Sequence, residues 1–219
     1  MSKDAAYYRR FYEEQSEFRR RLTIPMLQVL AEFASTGQIL DVGCGLGFFL
    51  DVASRHGGYR CVGIDMSTAA TDFARCTLGL DVRTGDFSKE RFAEVFDAIT
   101  MNHVLEHISA PVPFLERART VLAPGGIVVS SSPNFAGWLA RALGARWYGL
   151  QPSQHVWQFT PASYATLFRR AGFSVLAVRT GSLYYPWGPG WKAPAVWGVA
   201  RAAAILGHGD NMFLVARRP

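Results

Sequence analysis

Three cysteines in 219 residues, Cys44, Cys61 and Cys76, are too few for the disulfide framework of a small secreted domain and lack the paired spacing of a zinc site. They point to a reduced, intracellular setting. No uninterrupted apolar run reaches the roughly 18 residues of a spanning helix, and the opening MSKDAAYYRRFYEEQ holds no apolar signal-peptide core. The cytoplasm is the expected address. The formal charge is +6, yet the arginines are scattered and no dense basic run occurs, so nucleic acid is not an expected partner. Internal repeats and low-complexity tracts are also missing.

What remains is an ordinary globular composition, 49% apolar and 18% charged, in a length that suits a single domain with a modest appendage. Residues 1–36 read as a helical lead-in of two segments. Tyr8, Phe11, Tyr12 and Phe18 recur at helical spacing, as do Leu27, Leu30 and Phe33, with Pro25 placed to open the second helix. From Gln38, short apolar runs (QILDV, CVGID, DVRTGD, FDAITMN, GIVVSSSP) alternate with helical stretches across 37–132. That alternation predicts parallel βαβ units in a doubly wound α/β sheet. Residues 133–219 differ. Trp-, Gly- and Pro-rich sequence precedes a helix at 161–171, and the strands FSVLAVRT and MFLVARR flank an apolar insertion at 181–209. Two late strands separated by an insertion predict an antiparallel edge on the parallel sheet.

The strand QILDV runs directly into Gly43-Cys44-Gly45-Leu46-Gly47. Glycines there permit a tight turn and close backbone approach to a nucleoside. Cys44 is a small side chain that either lies near that ligand or merely fits the loop. Asp41, two residues ahead, would repel a pyrophosphate but attract a sulfonium and an amino group. Asp65 ends the next strand, about 20 residues on, where an acid can accept both ribose hydroxyls. Met66 can pack on an adenine face. One strand later, Asp86 can receive the adenine amino group and Phe87 can form a second apolar wall.

DVGCGLG, Asp65, the GDF turn and FDAITMNHVLEHI together resemble the class I S-adenosylmethionine-dependent methyltransferases. The later LEHI, PGG, PN, HVWQFTP and AGF segments resemble the branch that includes ubiquinone-biosynthesis O-methyltransferases and small-molecule enzymes. The resemblance implies a Rossmann-like, seven-stranded sheet of order 3-2-1-4-5-7-6 whose last strand is antiparallel. It implies S-adenosylmethionine as cofactor, surrounded by Asp41, Gly43, Cys44, Gly45, Gly47, Asp65, Met66, Asp86, Phe87, Asn102 and His103. In the ubiquinone relatives an E-x-x-E-H run is associated with a divalent metal. Here it reads H-x-x-E-H over His103, Glu106 and His107, and no metal is assigned.

Methyl transfer is a displacement at an activated carbon, so holding the nucleophile in line dominates, with a base needed only for a protonated acceptor. Ligands of such sheets sit beyond the carboxyl ends of the strands. His103, His107 and His155 are the catalytic candidates, because an imidazole can take a proton at neutral pH. The alternative for His103 is packing under the cofactor, and for His107 and His155 an ordering contact. Trp138, Trp147, Tyr148 and Trp157 either line an acceptor pocket or belong to the core. The expected acceptor is a small molecule methylated on a hydroxyl oxygen, such as a sugar, a secondary metabolite or a quinone-type compound. Alternatives are an amino-sugar nitrogen, or a lipid-linked acceptor reached by peripheral membrane contact through 183–206. Monomer and homodimer both remain open. Asp41 argues against a nicotinamide-dependent oxidoreductase, and the intact loop against a non-catalytic binding subunit.

Overall fold

The computed structural model describes residues 20, 22–147, 149–181 and 192–219. The expected helix around Tyr8 to Phe18, Tyr148, and residues 182–191 of the apolar insertion lie outside the described residues. A helix over residues 22–33 (α1) buries Met26, Leu27, Val29 and Leu30. Pro25 falls inside it rather than opening it. Burying four apolar side chains at roughly 1.5–3 kcal/mol each outweighs the single amide donor that proline lacks.

The core alternates as the hydrophobic pattern dictates: β1 (Gly37–Val42), α2 (Phe48–His56), β2 (Tyr59–Asp65), α3 (Thr68–Leu78), β3 (Val82–Thr84) and β4 (Phe96–Asn102). A short 3-10 turn (Leu105–His107), α4 (Pro111–Val121) and β5 (Leu122–Pro133) follow. The acceptor-side half adds α5 (Trp138–Leu143), a 3-10 turn (Gly144–Arg146), α6 (Pro161–Arg170), β6 (Ser174–Gly181), α7 (Lys192–Ile205) and β7 (Asn211–Arg217).

The seven strands order as β3-β2-β1-β4-β5-β7-β6. The first five pair in parallel, and β7 runs antiparallel to both β5 and β6. This is the expected fold. Strand β5 starts at Leu122, earlier than GIVVSSSP, because Leu122 pairs with Phe96 across a register shift. One sheet face buries Val128, Leu214, Tyr164 and Phe168 under α4 and α6. The other buries Ile39, Val129, Phe213 and Val215 under α1 and α2.

The corner where β6 meets the start of β7 is packed to backbone contact. A Cβ on Gly209 would lie 2.1 Å from the Gly181 carbonyl oxygen and 2.7 Å from its carbon. The Gly209 carbonyl in turn accepts from the Asn134 amide at 2.7 Å. Backbone cannot rotate away as a side chain can, so Gly209→Ala should destabilise the fold by roughly 3 kcal/mol. A lower urea midpoint at unchanged slope would report this, whereas an unaltered midpoint would mean that the corner is loose in solution.

Candidate cofactor and acceptor site

The glycine turn closes on the end of β2. Gly43, Gly45 and Gly47 have φ of 73°, 53° and 79°, the left-handed region where a Cβ is costly. The Gly43 and Cys44 amides both donate to the Ile64 carbonyl, and the Gly45 amide donates to Asp65 Oδ2 at 2.8 Å. The other Asp65 oxygen accepts from the Ser67 amide at 2.8 Å, and Ser67 caps α3 by accepting from Ala70. One carboxylate thus joins the two turns that frame a nucleoside site. Carboxylate oxygens carry about four acceptor positions, so Asp65 keeps capacity for ribose hydroxyls. A Cβ on Gly45 would meet nothing within 4 Å, which leaves the loop open on one side.

Asp41 is buried and accepts from the Thr100 hydroxyl at 2.7 Å. Burial, opposed by that hydrogen bond and aided by the nearby Asp65 charge, pushes its carboxyl up to about 7. A buried acid held near neutrality, beside an open turn of left-handed glycines, fits a ligand carrying positive charge. The Cys44 thiol is buried and pushed far above its ordinary range by that burial, so it acts as a packing group.

Met66 stands 75% exposed beside Asp65, free to cover a planar ring. Asp86 holds its own turn, accepting from the Ser88 amide and hydroxyl at 3.0 and 2.7 Å, and the Ser88 hydrogen bonds keep its carboxyl below the usual range. Phe87 departs from the expected second wall. Its ring is buried against Phe114 and Phe92, at centroid distances of 5.1 and 6.1 Å, because core burial outweighs contact with a ligand. Asn102 accepts from the Ser131 hydroxyl at the end of β4.

The next residue changes the geometry. His103 is the one non-glycine with positive φ among the described residues, at 54°. Such strain persists only where surroundings over-determine it. The His103 amide donates to the Ser131 carbonyl, and its Nδ1 lies 3.1 Å from Glu106 Oε1. Glu106 is buried, and its second oxygen accepts from the Ser132 hydroxyl at 3.1 Å. Burial alone would raise the Glu106 carboxyl, but the hydrogen bond from His103 overrides it and holds the pKa below the ordinary value. An ionised carboxylate only accepts, so Nδ1 carries a proton in this contact and Nε2 is the ring atom left to face a ligand. That Nε2 is buried without a hydrogen-bond partner.

His107 and His155 form a separate pair. Their rings meet edge-on at 4.8 Å, His107 Nδ1 pairs with the Gln154 carbonyl at 3.0 Å, and His155 Nδ1 with the Gly149 carbonyl at 2.8 Å. The Val156 and Trp157 amides both donate to the Glu106 carbonyl, so the 149–157 loop is tied to the turn after β4. Glu106, His107 and His155 each offer one donor atom within 4.8 Å of the others, the donor types that a divalent ion takes. His103 stands outside that group of three.

Trp138, Trp147 and Trp157 sit in different surroundings. Trp147 is buried in a small cluster with Leu139 and Ala140, Trp138 stacks on His208 at the surface, and Trp157 stacks on Phe159. Glu106 and Ser132 were not among the expected site residues. The i+3 spacing of His103 and Glu106 carried a signal for the first, but nothing local marks Ser132.

Residues 12–178 match a methyltransferase domain family. The ubiquinone biosynthesis O-methyltransferase of Nitrosococcus oceani is 31% identical over 195 residues, covering 81% of each chain. That of Nitrobacter winogradskyi is 30% identical over 169 residues, 71% of this chain and 63% of the relative, so the chain spans under two thirds of that relative's length. Among solved structures, an S-adenosylmethionine-dependent methyltransferase of Thermotoga maritima superposes with a TM-score of 0.70 at 18% identity, over 96% of this chain and 95% of its own. With the sheet order, the glycine turn on Asp65 and the family match in agreement, the chain belongs to the methyltransferase domain family, within the class I S-adenosylmethionine-dependent methyltransferases.

Proposed function

We propose that this chain methylates a hydroxyl oxygen of a small-molecule acceptor, with His103 as the base and Glu106 as its positioning residue. The observation that carries this reading is the buried, unpartnered Nε2 of a histidine whose opposite nitrogen is held by a carboxylate. S-adenosylmethionine, held by the glycine turn, Asp41, Asp65, Met66, Asp86 and Asn102, supplies a methyl carbon already activated by its sulfonium. The chain's own task is the acceptor proton. His103 Nε2 takes it as the oxygen becomes nucleophilic, Glu106 stabilises the imidazolium that forms, and Ser132 keeps Glu106 in place. A hydroxyl needs such a base, whereas a neutral amine does not. The name of the relatives, O-methyltransferases, supports oxygen over an amino-sugar nitrogen. His107 and His155 serve to hold the 149–157 loop over the site.

Labelled-methyl transfer to a panel of phenolic, quinol and amino-sugar acceptors tests the reading. His103→Gln should lower kcat by about a hundredfold or more, the usual scale of a general base, and leave S-adenosylhomocysteine affinity unchanged. Glu106→Gln should lose less. Transfer to amino sugars alone, or full turnover by His103→Gln, would sink the proposal.

Asp41 makes a second prediction. A cationic ligand favours the carboxylate, so cofactor binding should strengthen as pH rises from 6 through about 7 and release a proton. Calorimetry in buffers of different ionisation enthalpy measures that release, and Asp41→Asn should abolish it. The sign for the ligand-free fold is opposite. Its raised pKa gives stability that is complete below the unfolded value of 3.8 and is lost as pH climbs through about 7. A ligand-free melting curve flat from pH 4 to 7 would contradict the shifted acid.

A further inference from the structure

Charge is divided along this chain in a way the net value hides. Residues 1–116 carry sixteen carboxylates and twelve Lys or Arg, whereas residues 117–219 carry a single carboxylate, Asp210, and eleven Lys or Arg. From Arg117 to Gly209 there is no acidic residue, and Asp210 is buried. Residues 117–219 therefore present cations with no exposed acid of their own among the described residues.

Within that stretch, α5 and α7 touch each other. On α7, Gly198, Val199, Arg201, Ala202, Ile205 and Leu206 are exposed, and Ala203 is buried. At about 100° per residue, those six positions fill one continuous arc, aliphatic at its centre with Arg201 at its flank. Val199, Ile205 and Leu206 are 48%, 79% and 61% exposed, far more than an aliphatic helix face retains inside a folded chain. The patch continues onto α5, where Trp138 lies stacked on His208 just past the end of α7. Exposed Arg141 and Arg146 rim that side.

We infer that the outer face of α5 and α7 docks this protein on an anionic lipid bilayer. Aliphatic side chains at the centre enter the acyl boundary, Trp138 sits at headgroup depth, and the arginines meet lipid phosphates. Nucleic acid would use the arginines but leave the aliphatic arc in water. The 14 residues of α7 extend about 21 Å, short of a bilayer core of about 30 Å, so the helix lies on the surface. No described helix is long and apolar enough to cross a membrane. The surface is independent of which acceptor is methylated.

Flotation of the full-length protein tests this, with vesicles of phosphatidylcholine alone and of an equimolar mixture with phosphatidylglycerol. Binding is expected to the mixture only and to fall steeply with salt. Arg141→Gln with Arg146→Gln should weaken it by about 30-fold, equivalent to ~1 kcal/mol per arginine. Ile205→Asp with Leu206→Asp should abolish it, while unchanged S-adenosylhomocysteine affinity reports an intact fold. Absence of flotation, equal binding to both vesicles, or full binding by the aspartate variant would overturn the inference. So would an RNA duplex that displaces the vesicles and depends on the same arginines.

Discussion

The carboxylate of Asp65 is the point on which the rest of the site hangs. It accepts from Gly45 in the turn between β1 and α2 and from Ser67 in the turn between β2 and α3. Hydrogen bonds to an ionised acceptor are about twice as strong as neutral ones, so this carboxylate braces both loops at once, beside the packing of Leu46 on Ala70 and Phe73. The left-handed glycines make the turn sterically allowed, but they do not hold it. Burying Asp41 nearby then sets an electrostatic condition. Two carboxylates under one loop are compatible with a folded chain when one stays near neutrality or a cation arrives, and the raised Asp41 pKa is the first of these states.

A second constraint operates at the end of β4. His103 takes a backbone conformation that costs on the order of 1 kcal/mol or more, and Glu106 offsets that cost from several directions. Its side chain binds His103 and Ser132, and its carbonyl accepts from Val156 and Trp157. The orientation of the imidazole and the seating of the 149–157 loop are therefore one structural unit. A change in that loop, including one at the His107 and His155 contact, reaches His103 through Glu106 without touching it directly.

The parts of the fold carried by local pattern were legible in the sequence. The βαβ alternation, the antiparallel closing strands and the sheet order implied by the family resemblance all reappear. Pattern failed where burial competes with a functional expectation. Phe87 stands in a segment that reads as ligand-facing, yet its ring packs against Phe114, while Trp147, left open between pocket and core, takes the core alternative beside Leu139. It also failed where partners come from distant strands. Ser132 belongs to a stretch, SSSP, whose serines are indistinguishable until register assigns each to a face of the sheet. Pro25 shows the same limit at a helix, where tertiary burial carries the helix back past a residue that reads as its start.

The charge division gives the two halves of the sheet different electrostatic tasks. The glycine turn, Asp41, Asp65 and Asp86 belong to the acid-bearing half, where negative potential concentrates a cationic donor. Strands β6 and β7 belong to residues 117–219, whose one acid, Asp210, is buried, and Arg179 of β6 finds its carboxylate in Glu32 of the first half. His103 and Glu106 follow β4, still within the acid-bearing part of the chain. An imidazole that gains a proton there becomes cationic beside a carboxylate from its own turn. The His103–Glu106 pairing at 3.1 Å therefore supplies the compensating charge locally, and the same contact holds the Glu106 carboxyl below its ordinary range despite burial.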